Sequence, residues 1–324
     1  MRLVIPDDYQ DCVRHLDCFK ALQGHEVTIF NDTVSDIGSL VKRFAGAQGI
    51  VLTRERTRIS AELLDHLPDL RIISQTGKIA PHIDLAACTH RGVAVAEGSG
   101  TGAATAELTW ALILASRRHL FQEANGLRAG RWQSLLGQQL QGQQLGVWGY
   151  GRIGQQVAAY GKAFGMQVTI WGRARSREQA LADGYTAAPS QAAFFEHSDV
   201  LTLHLRLTDE TRGIVAAADL AAMKTTALFV NTSRAELIAP NALEAALRHG
   251  RPGFAAVDVF EFEPVLDAAH PLLQLPNALC TPHLGFVEKD NYEHYYGTAF
   301  ANINHFAAGN LTGLVNPEVK PRTR

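Results

Sequence analysis

The sequence predicts a two-domain α/β protein with parallel sheets, and three observations carry that prediction. A chain of 324 residues exceeds what one hydrophobic core usually holds, so two domains are expected. Short apolar β-like runs alternate with amphipathic helical runs twice over, once up to about Gly98 and again from Leu145. That alternation builds parallel sheets with helices on both faces. Finally, Gly149-Tyr150-Gly151-Arg152-Ile153-Gly154 directly follows an apolar run and opens a helical pattern.

In the first half the strand candidates are residues 2–5, 26–30, 49–52, 71–74 and 93–96, and the helical stretches are 11–22, 36–44, 60–66 and 84–90. A long helix is expected from Ala104 to about Gly126, in the stretch that begins ATAELTWALILASRRHLF. Its apolar positions fall on more than one face, as in a helix buried between two bodies, so it marks a domain junction. A polar stretch rich in Gly and Gln, 130–144, then leads into the glycine motif.

In the second half the strand candidates are 145–148, 167–171, 200–204, 227–231, 255–259 and 278–280. This is about the strand count of a Rossmann-type doubly wound domain, whose ligand crevice lies at the carboxyl ends of the strands. The glycine motif fits its first turn. Gly149 allows a sharp turn off the strand, Gly151 lets backbone approach a pyrophosphate, and Gly154 lets the helix lie close on the sheet. A last helix, from Glu288 to about Ala308, precedes Val315-Asn316-Pro317. With no further strand after it, that helix can pack back on the N-terminal half and make that domain discontinuous.

The composition is that of an ordinary globular protein, 46% hydrophobic and 19% charged, with a net charge of −2. No basic run suggests nucleic acid as a partner. The start, MRLVIPDDYQ, lacks the apolar core of a signal peptide, and no apolar stretch reaches the roughly 18 residues that span a bilayer. The expectation is a cytoplasmic protein with no membrane partner. Cys12, Cys18, Cys88 and Cys280 form no C-x-x-C pair, so reduced thiols and no metal are expected.

Four polar clusters follow strand candidates in the second half. Domains that bind NAD usually carry an acid about 20 residues after the glycines, where it accepts from the ribose 2′-hydroxyl. Here that slot is Gly172, followed by Arg173, Arg175 and Arg177. The missing acid and the guanidinium groups favour NADP over NAD. In Asn231-Thr232-Ser233-Arg234, an arginine at a strand end can hold a carboxylate and polarise a carbonyl next to it. The third cluster carries Asp258, Glu261 and Glu263, and the fourth is Cys280-Thr281-Pro282-His283-Leu284-Gly285. A lone histidine after a strand is commonly structural. With Glu263 as an orienting carboxylate, His283 is suited to give a proton to a carbonyl oxygen.

Taken together, and in this order along most of the chain, TAELTWALILA, LGVWGYGRIG, HLRLTDETRGIV, FVNTSRAELI, AVDVFEFEP and CTPHLG resemble the D-isomer-specific 2-hydroxyacid dehydrogenases. That family includes phosphoglycerate dehydrogenases and glyoxylate/hydroxypyruvate reductases. The resemblance implies a flavodoxin-like substrate domain, residues 1–101 with 286–324, and a Rossmann domain over 102–285. It implies that Arg234 binds the substrate carboxylate and carbonyl, that His283 is the general acid/base, and that Glu263 is its partner. It further implies cofactor contacts from Thr105, Arg152, Ile153, Thr232, Ser233 and Asp258, with Gly285 beside them, and a homodimer.

Two departures stand out. A loop that in the family commonly reads G-x-G-x-D-N-I-D is here Gly77-Lys78-Ile79-Ala80-Pro81-His82-Ile83-Asp84. Backbone amides of Thr76, Gly77 and Lys78 remain able to hold a carboxylate, and Lys78 adds charge. Arg206 replaces a usual proline. The expected reaction interconverts a 2-oxo acid and its D-2-hydroxy acid by hydride transfer, in a cleft that closes to exclude water. The alternatives are a phosphite-type dehydrogenase on the same scaffold and a dinucleotide-sensing corepressor. A corepressor would carry a long disordered tail, absent here. A formate-type relative would carry Gln where this chain has Glu263.

Overall fold

A computed structural model describes residues 1–322. The chain forms two compact units, Met1–Gly100 with Lys289–Arg324, and Thr101–Glu288.

In the first unit, β1 (Arg2–Ile5), β2 (Glu26–Ile29), β3 (Gly49–Leu52), β4 (Ile72–Gln75) and β5 (Ala94–Glu97) form a parallel sheet in the order β2-β1-β3-β4-β5. This is the flavodoxin-like 2-1-3-4-5 order. The residues of β3 and β4 are buried throughout, the pattern of strands covered on both faces. Between the strands lie α1 (Ile37–Phe44), α2 (Ala61–Asp65) and α3 (Leu85–His90). Each begins where a side-chain oxygen takes up an orphan amide: Asp36 accepts from Ser39 N, Ser60 from Leu63 N and Asp84 from Ala87 N.

The helix expected at 11–22 does not form. Two 3₁₀ helices, Val13–His15 and Asp17–Leu22, stand there, separated by an extended Leu16. The cause is competition for backbone donors. The Asp8 carboxylate takes the Cys12 and Val13 amides, and Glu293 takes those of Asp17 and Cys18 at 2.7 and 2.9 Å. Carboxylate acceptors make stronger bonds than the neutral carbonyls of a helix ladder.

The second unit opens with α4 (Ala103–Arg117) and α5 (Leu120–Arg128). These replace the single long helix expected from 104 to about 126. The break is at His119, whose φ of 50° is left-handed and ends the α4 ladder. Arg117 is buried at that end, donating from Nη1 to Thr226 O at 2.7 Å and to Gln138, and from Nη2 to Asp199 O. Those carbonyls lie just before β10 (Leu228–Asn231) and β9 (Val200–Leu203), so α4 ends where its last side chain reaches the amino ends of two strands.

The sheet that follows comprises β6 (Gln144–Trp148), β7 (Gln167–Trp171), β8 (Thr186–Ala187), β9 (Val200–Leu203), β10 (Leu228–Asn231), β11 (Phe254–Val257) and β12 (Ala278–Cys280). Its order is β12-β11-β10-β9-β6-β7-β8, all parallel. That is the doubly wound 3-2-1-4-5-6 order with one more strand at the β12 edge. The two-residue β8 was not among the expected strands. It is an edge strand too short to show a period of two.

Connecting helices are α6 (Arg152–Ala163), α7 (Ala174–Ala182), α8 (Gln191–His197), α9 (Ala217–Ala222) and α10 (Ala242–Arg248). One apolar cluster, around Phe195, Phe229 and Leu243, fills one side of the sheet; another, around Trp110, Val147 and Val157, fills the other. The last helix, α11 (Lys289–Ala307), belongs to the first unit, where it buries Tyr296, Phe300 and Ile303. Ser74 Oγ on β4 donates to Ala299 O at 3.0 Å, and Tyr296 Oη meets Thr53 Oγ1 at 2.7 Å. Among the described residues no helix is long and apolar enough to cross a membrane.

Candidate active site

The glycine turn stands where the sheet order reverses, between β6 and β9. Gly149 has a φ of 99°, and a Cβ there would overlap the carbonyl oxygen of His204, just beyond β9. A Cβ on Gly154 would overlap Gly149 O, so the third glycine is required by the approach of α6 to the turn. Gly161 extends the same contact, since a Cβ there would lie 2.5 Å from Leu145 on β6.

Gly151 is different. A Cβ there meets no atom within 4 Å, so the protein's own packing does not demand glycine. Gly151 is also the N-cap of α6 and offers no side-chain acceptor to its first amides, which include those of Arg152 and Ile153. Open space over a bare helix N-terminus fits a pyrophosphate. These residues therefore fit a dinucleotide.

At the end of β7, a Cβ on Gly172 would lie 3.9 Å from the Gly149 amide. Arg173, the N-cap of α7, is not free, because its Nη2 pairs with Glu210 Oε2 at 2.8 Å. Arg177 lies over the Trp171 ring at 5.0 Å. Arg206 is exposed in the loop after β9, and nothing in the structure explains the arginine there. His204 closes this side. Burial lowers its imidazole to about 3, so it is neutral, with Nε2 3.1 Å from Thr202 Oγ1.

The other named residues follow three adjacent strands. Asn231, Val257 and Cys280 are in register at the ends of β10, β11 and β12, and Arg234, Glu263 and His283 leave from there. Asn231 shapes the first loop: its Nδ2 donates to Arg234 O at 2.8 Å and its Oδ1 accepts from Ser233 N at 3.0 Å. Thr232 is buried with its Oγ1 2.8 Å from Thr109 on α4, and Ser233 Oγ donates to Leu203 O. Arg234 Nη1 donates to Ser233 O at 2.6 Å.

Asp258 is fully buried and holds the third loop. Its Oδ1 accepts from Thr281 Oγ1 at 2.6 Å and from Leu284 N at 2.7 Å, and its Oδ2 from Gly285 N at 2.8 Å. Burial pushes the Asp258 carboxyl up, against the pull of those donors and of His283. Thr105 on α4 ties the same loop by donating to Gly285 O at 2.8 Å. Held from both sides, His283 adopts a φ of 52°, a left-handed conformation that costs on the order of 1–3 kcal/mol away from glycine.

The His283 ring is oriented as well. Nδ1 meets Glu263 Oε2 at 2.6 Å, while Glu263 Oε1 accepts from Phe260 N at 2.9 Å. Phe286 packs edge-on against the imidazole at 5.4 Å. With Nδ1–H donated to the carboxylate, Nε2 is the nitrogen left for chemistry; it makes no bond among the described residues.

In the first unit, the loop after β4 corrects two expectations. The Thr76 amide already donates to Leu52 O at 3.0 Å, extending the β3–β4 ladder, so only the Gly77 and Lys78 amides remain for a ligand. Lys78 Nζ pairs with Glu97 Oε1, whose other oxygen accepts from Ile79 N at 3.0 Å, so its charge is compensated. Gly77 has a φ of 90°, and a Cβ there would overlap Arg54 Nη1. Glu97 and Glu210 were not singled out from sequence, because each acts through a fold neighbour that no local pattern marks. Among the described residues no cluster of His, Cys, Asp or Glu could hold a metal.

A doubly wound parallel sheet with a glycine turn at its switch point defines the class of dinucleotide-binding domains. The D-isomer specific 2-hydroxyacid dehydrogenase, NAD binding domain family matches residues 110–285. Glyoxylate reductase of Aeropyrum pernix is 39% identical over 275 residues, 81% of this chain and 81% of its own length. D-3-phosphoglycerate dehydrogenase of Methanocaldococcus jannaschii is 36% identical over 73% of this chain but only 45% of its own. The crystal structure of a phosphoglycerate oxidoreductase from Vibrio cholerae is 52% identical, with a TM-score of 0.93 over 95% of this chain and 99% of that one. The chain belongs to the D-isomer specific 2-hydroxyacid dehydrogenase family. It is an oxidoreductase, a 2-hydroxyacid dehydrogenase that uses a nicotinamide dinucleotide.

The glycine geometry separates folding from binding. Gly151→Ala adds a Cβ into open space, so its Tm should stay within about 2 °C of wild type. If a pyrophosphate occupies that open space, the same methyl group would crowd it, and dinucleotide affinity should fall by about tenfold or more, at least ~1.4 kcal/mol. Calorimetric titration with the dinucleotide checks this; undiminished affinity would show that Gly151 does not face the ligand.

Proposed function

We propose that this enzyme interconverts a small 2-oxo acid and its D-2-hydroxy acid, with NADP favoured over NAD. The observation that carries this reading is His283 held through Nδ1 by Glu263 at 2.6 Å, on the sheet edge where Arg234 also emerges. The dinucleotide, when bound, supplies or takes up the hydride. Everything else falls to the side chains.

Arg234 binds the substrate carboxylate with its guanidinium fork and draws electron density from the adjacent carbonyl oxygen. In the first unit, the Gly77 and Lys78 amides are further donors suited to a carboxylate. In the reducing direction, protonated His283 gives its Nε2 proton to the carbonyl oxygen; in the oxidising direction, neutral His283 takes the hydroxyl proton back. Glu263 holds the ring in one tautomer and stabilises the imidazolium. Arg152 and Ile153 hold the pyrophosphate through their amides. Thr105, Thr232, Ser233 and Gly285 would line the cofactor, with Asp258 toward the nicotinamide carboxamide, and Gly172 with Arg173 would meet the adenosine ribose.

Along α5 and the chain after it the second unit leaves apolar side chains exposed, Trp132 at 76% and Leu136 at 94%, with Leu120, Phe121, Leu127 and Leu135 exposed in the same stretch. So much exposed apolar side chain in one stretch suits burial against a second copy, and we read the enzyme as a homodimer. Four unbridged cysteines suit a reducing cytoplasm.

The test is nicotinamide absorbance with glyoxylate, hydroxypyruvate and pyruvate, each with NADH and with NADPH, and chiral analysis of the product. Turnover of at least one oxo acid to the D-isomer is expected, faster per unit cofactor concentration with NADPH. No turnover across a broad panel of 2-oxo acids, or an L-product, would overturn the reading.

A further inference from the structure

The strand end at Gly172 lacks the usual acid, yet an acid reaches the same place from another element. Glu210, in the loop after β9, pairs with Arg173 at 2.8 Å. Arg173 follows Gly172, which lies beside the glycine turn, at the position that in doubly wound domains meets the adenosine ribose. Of the three arginines there, Arg177 is laid against Trp171 and Arg175 is exposed with no ion pair among the described residues. Arg173 alone has its charge taken up by a carboxylate. Both members of the pair are largely solvent-exposed, 80% and 79%, so the pair opens at little cost.

We infer that Glu210 is a specificity-determining residue for the dinucleotide, working against NADP and for NAD. A carboxylate at this place can accept a hydrogen bond from a ribose 2′-hydroxyl. Towards a 2′-phosphate it acts twice in the opposite sense, by occupying the guanidinium that would bind the phosphate and by repelling its charge. Glu210 thus returns, from 37 positions further along the chain than Arg173, part of the discrimination that the glycine at the strand end gave up. The inference sets a counterweight against the proposed NADP preference and rests on the reading that Arg173 meets the ribose.

Binding, measured without substrate, tests it. NAD⁺ and NADP⁺ are titrated calorimetrically into wild type, Glu210→Gln, Arg173→Gln and the double variant, at low salt and at high salt. For Glu210→Gln the ratio Kd(NAD⁺)/Kd(NADP⁺) should rise about tenfold at low salt and by less at high salt, because exposed charges are screened. In the Arg173→Gln background the same change should give a smaller rise, since only the repulsion is then removed. A ratio that moves by less than about twofold in Glu210→Gln at low salt would overturn the inference. So would an equal rise with and without Arg173, which would mean that the pair does not act as one. The wild-type ratio bears only on the NADP reading: a wild type that binds NAD⁺ more tightly sinks that preference and leaves the effect of Glu210 readable as a change.

Discussion

His283→Asn should lower kcat by about 10²- to 10⁴-fold, the usual worth of a positioned general acid/base, while dinucleotide affinity changes by less than about threefold. Asparagine is the informative replacement because His283 sits at a φ of 52°, where Asn is tolerated better than most residues. The loop should therefore survive on its own anchors, the Asp258 carboxylate and the Thr105 hydroxyl. What is lost is the imidazole that can give and take the proton. Glu263 keeps its bond to Phe260 N but has no imidazole to orient. Stopped-flow and steady-state rates with the best oxo acid, alongside calorimetric dinucleotide binding, decide the matter. Near-wild-type kcat would remove His283 from the chemistry, and equal losses in kcat and dinucleotide affinity would make it a structural residue.

Arg234→Gln should be comparably severe but show in kcat/KM. A bidentate guanidinium–carboxylate contact contains two charge-assisted hydrogen bonds, each worth about 1.5–3 kcal/mol. Their joint loss predicts a fall of about 10²- to 10⁴-fold in kcat/KM. Since Asn231 shapes the loop through Arg234 O and Ser233 N, bonds that remain when the Arg234 Nη1 bond to Ser233 O is lost, the variant should fold and bind the dinucleotide. Arg234→Lys should recover little, because an ammonium cannot reproduce the fork. Wild-type kcat/KM in Arg234→Gln would leave the substrate carboxylate to another cation and reopen the assignment.

Much of the fold could be read from the sequence. Ten of the eleven expected strands match an observed one to within one residue at each end; the exception is the expected 255–259, observed as β11 (Phe254–Val257). Strands buried on both faces, such as the all-buried β3 and β4, are short apolar runs between turn residues and announce themselves locally. The glycine motif was legible because three glycines fall within six residues, two of them, Gly149 and Gly154, under steric demand from the fold and Gly151 facing open space. Arg234, Glu263 and His283 could be singled out because the carboxyl ends of parallel strands are where side chains of this fold meet ligands.

What was misread was non-local. The stretch 11–22 has a helical pattern, but Asp8 and the distant Glu293 take its amides. The sequence around His119 contains no glycine or proline to announce the break between α4 and α5, which follows from where Arg117 meets the sheet. Lys78 reads as a free positive charge until β5 brings Glu97 to it, and Thr76 reads as a donor until β3 takes its amide.

The sequence by itself determined the parallel α/β architecture, the place of the glycine turn and the three chemically apt side chains at strand ends. All of these follow from contacts or steric limits within a few residues. Only the tertiary structure decided three pairings: Asp258 on the loop that carries His283, Glu97 on Lys78 and Glu210 on Arg173. A charge's effect depends on what lies within a few ångströms of it, and separation along the chain does not encode that distance.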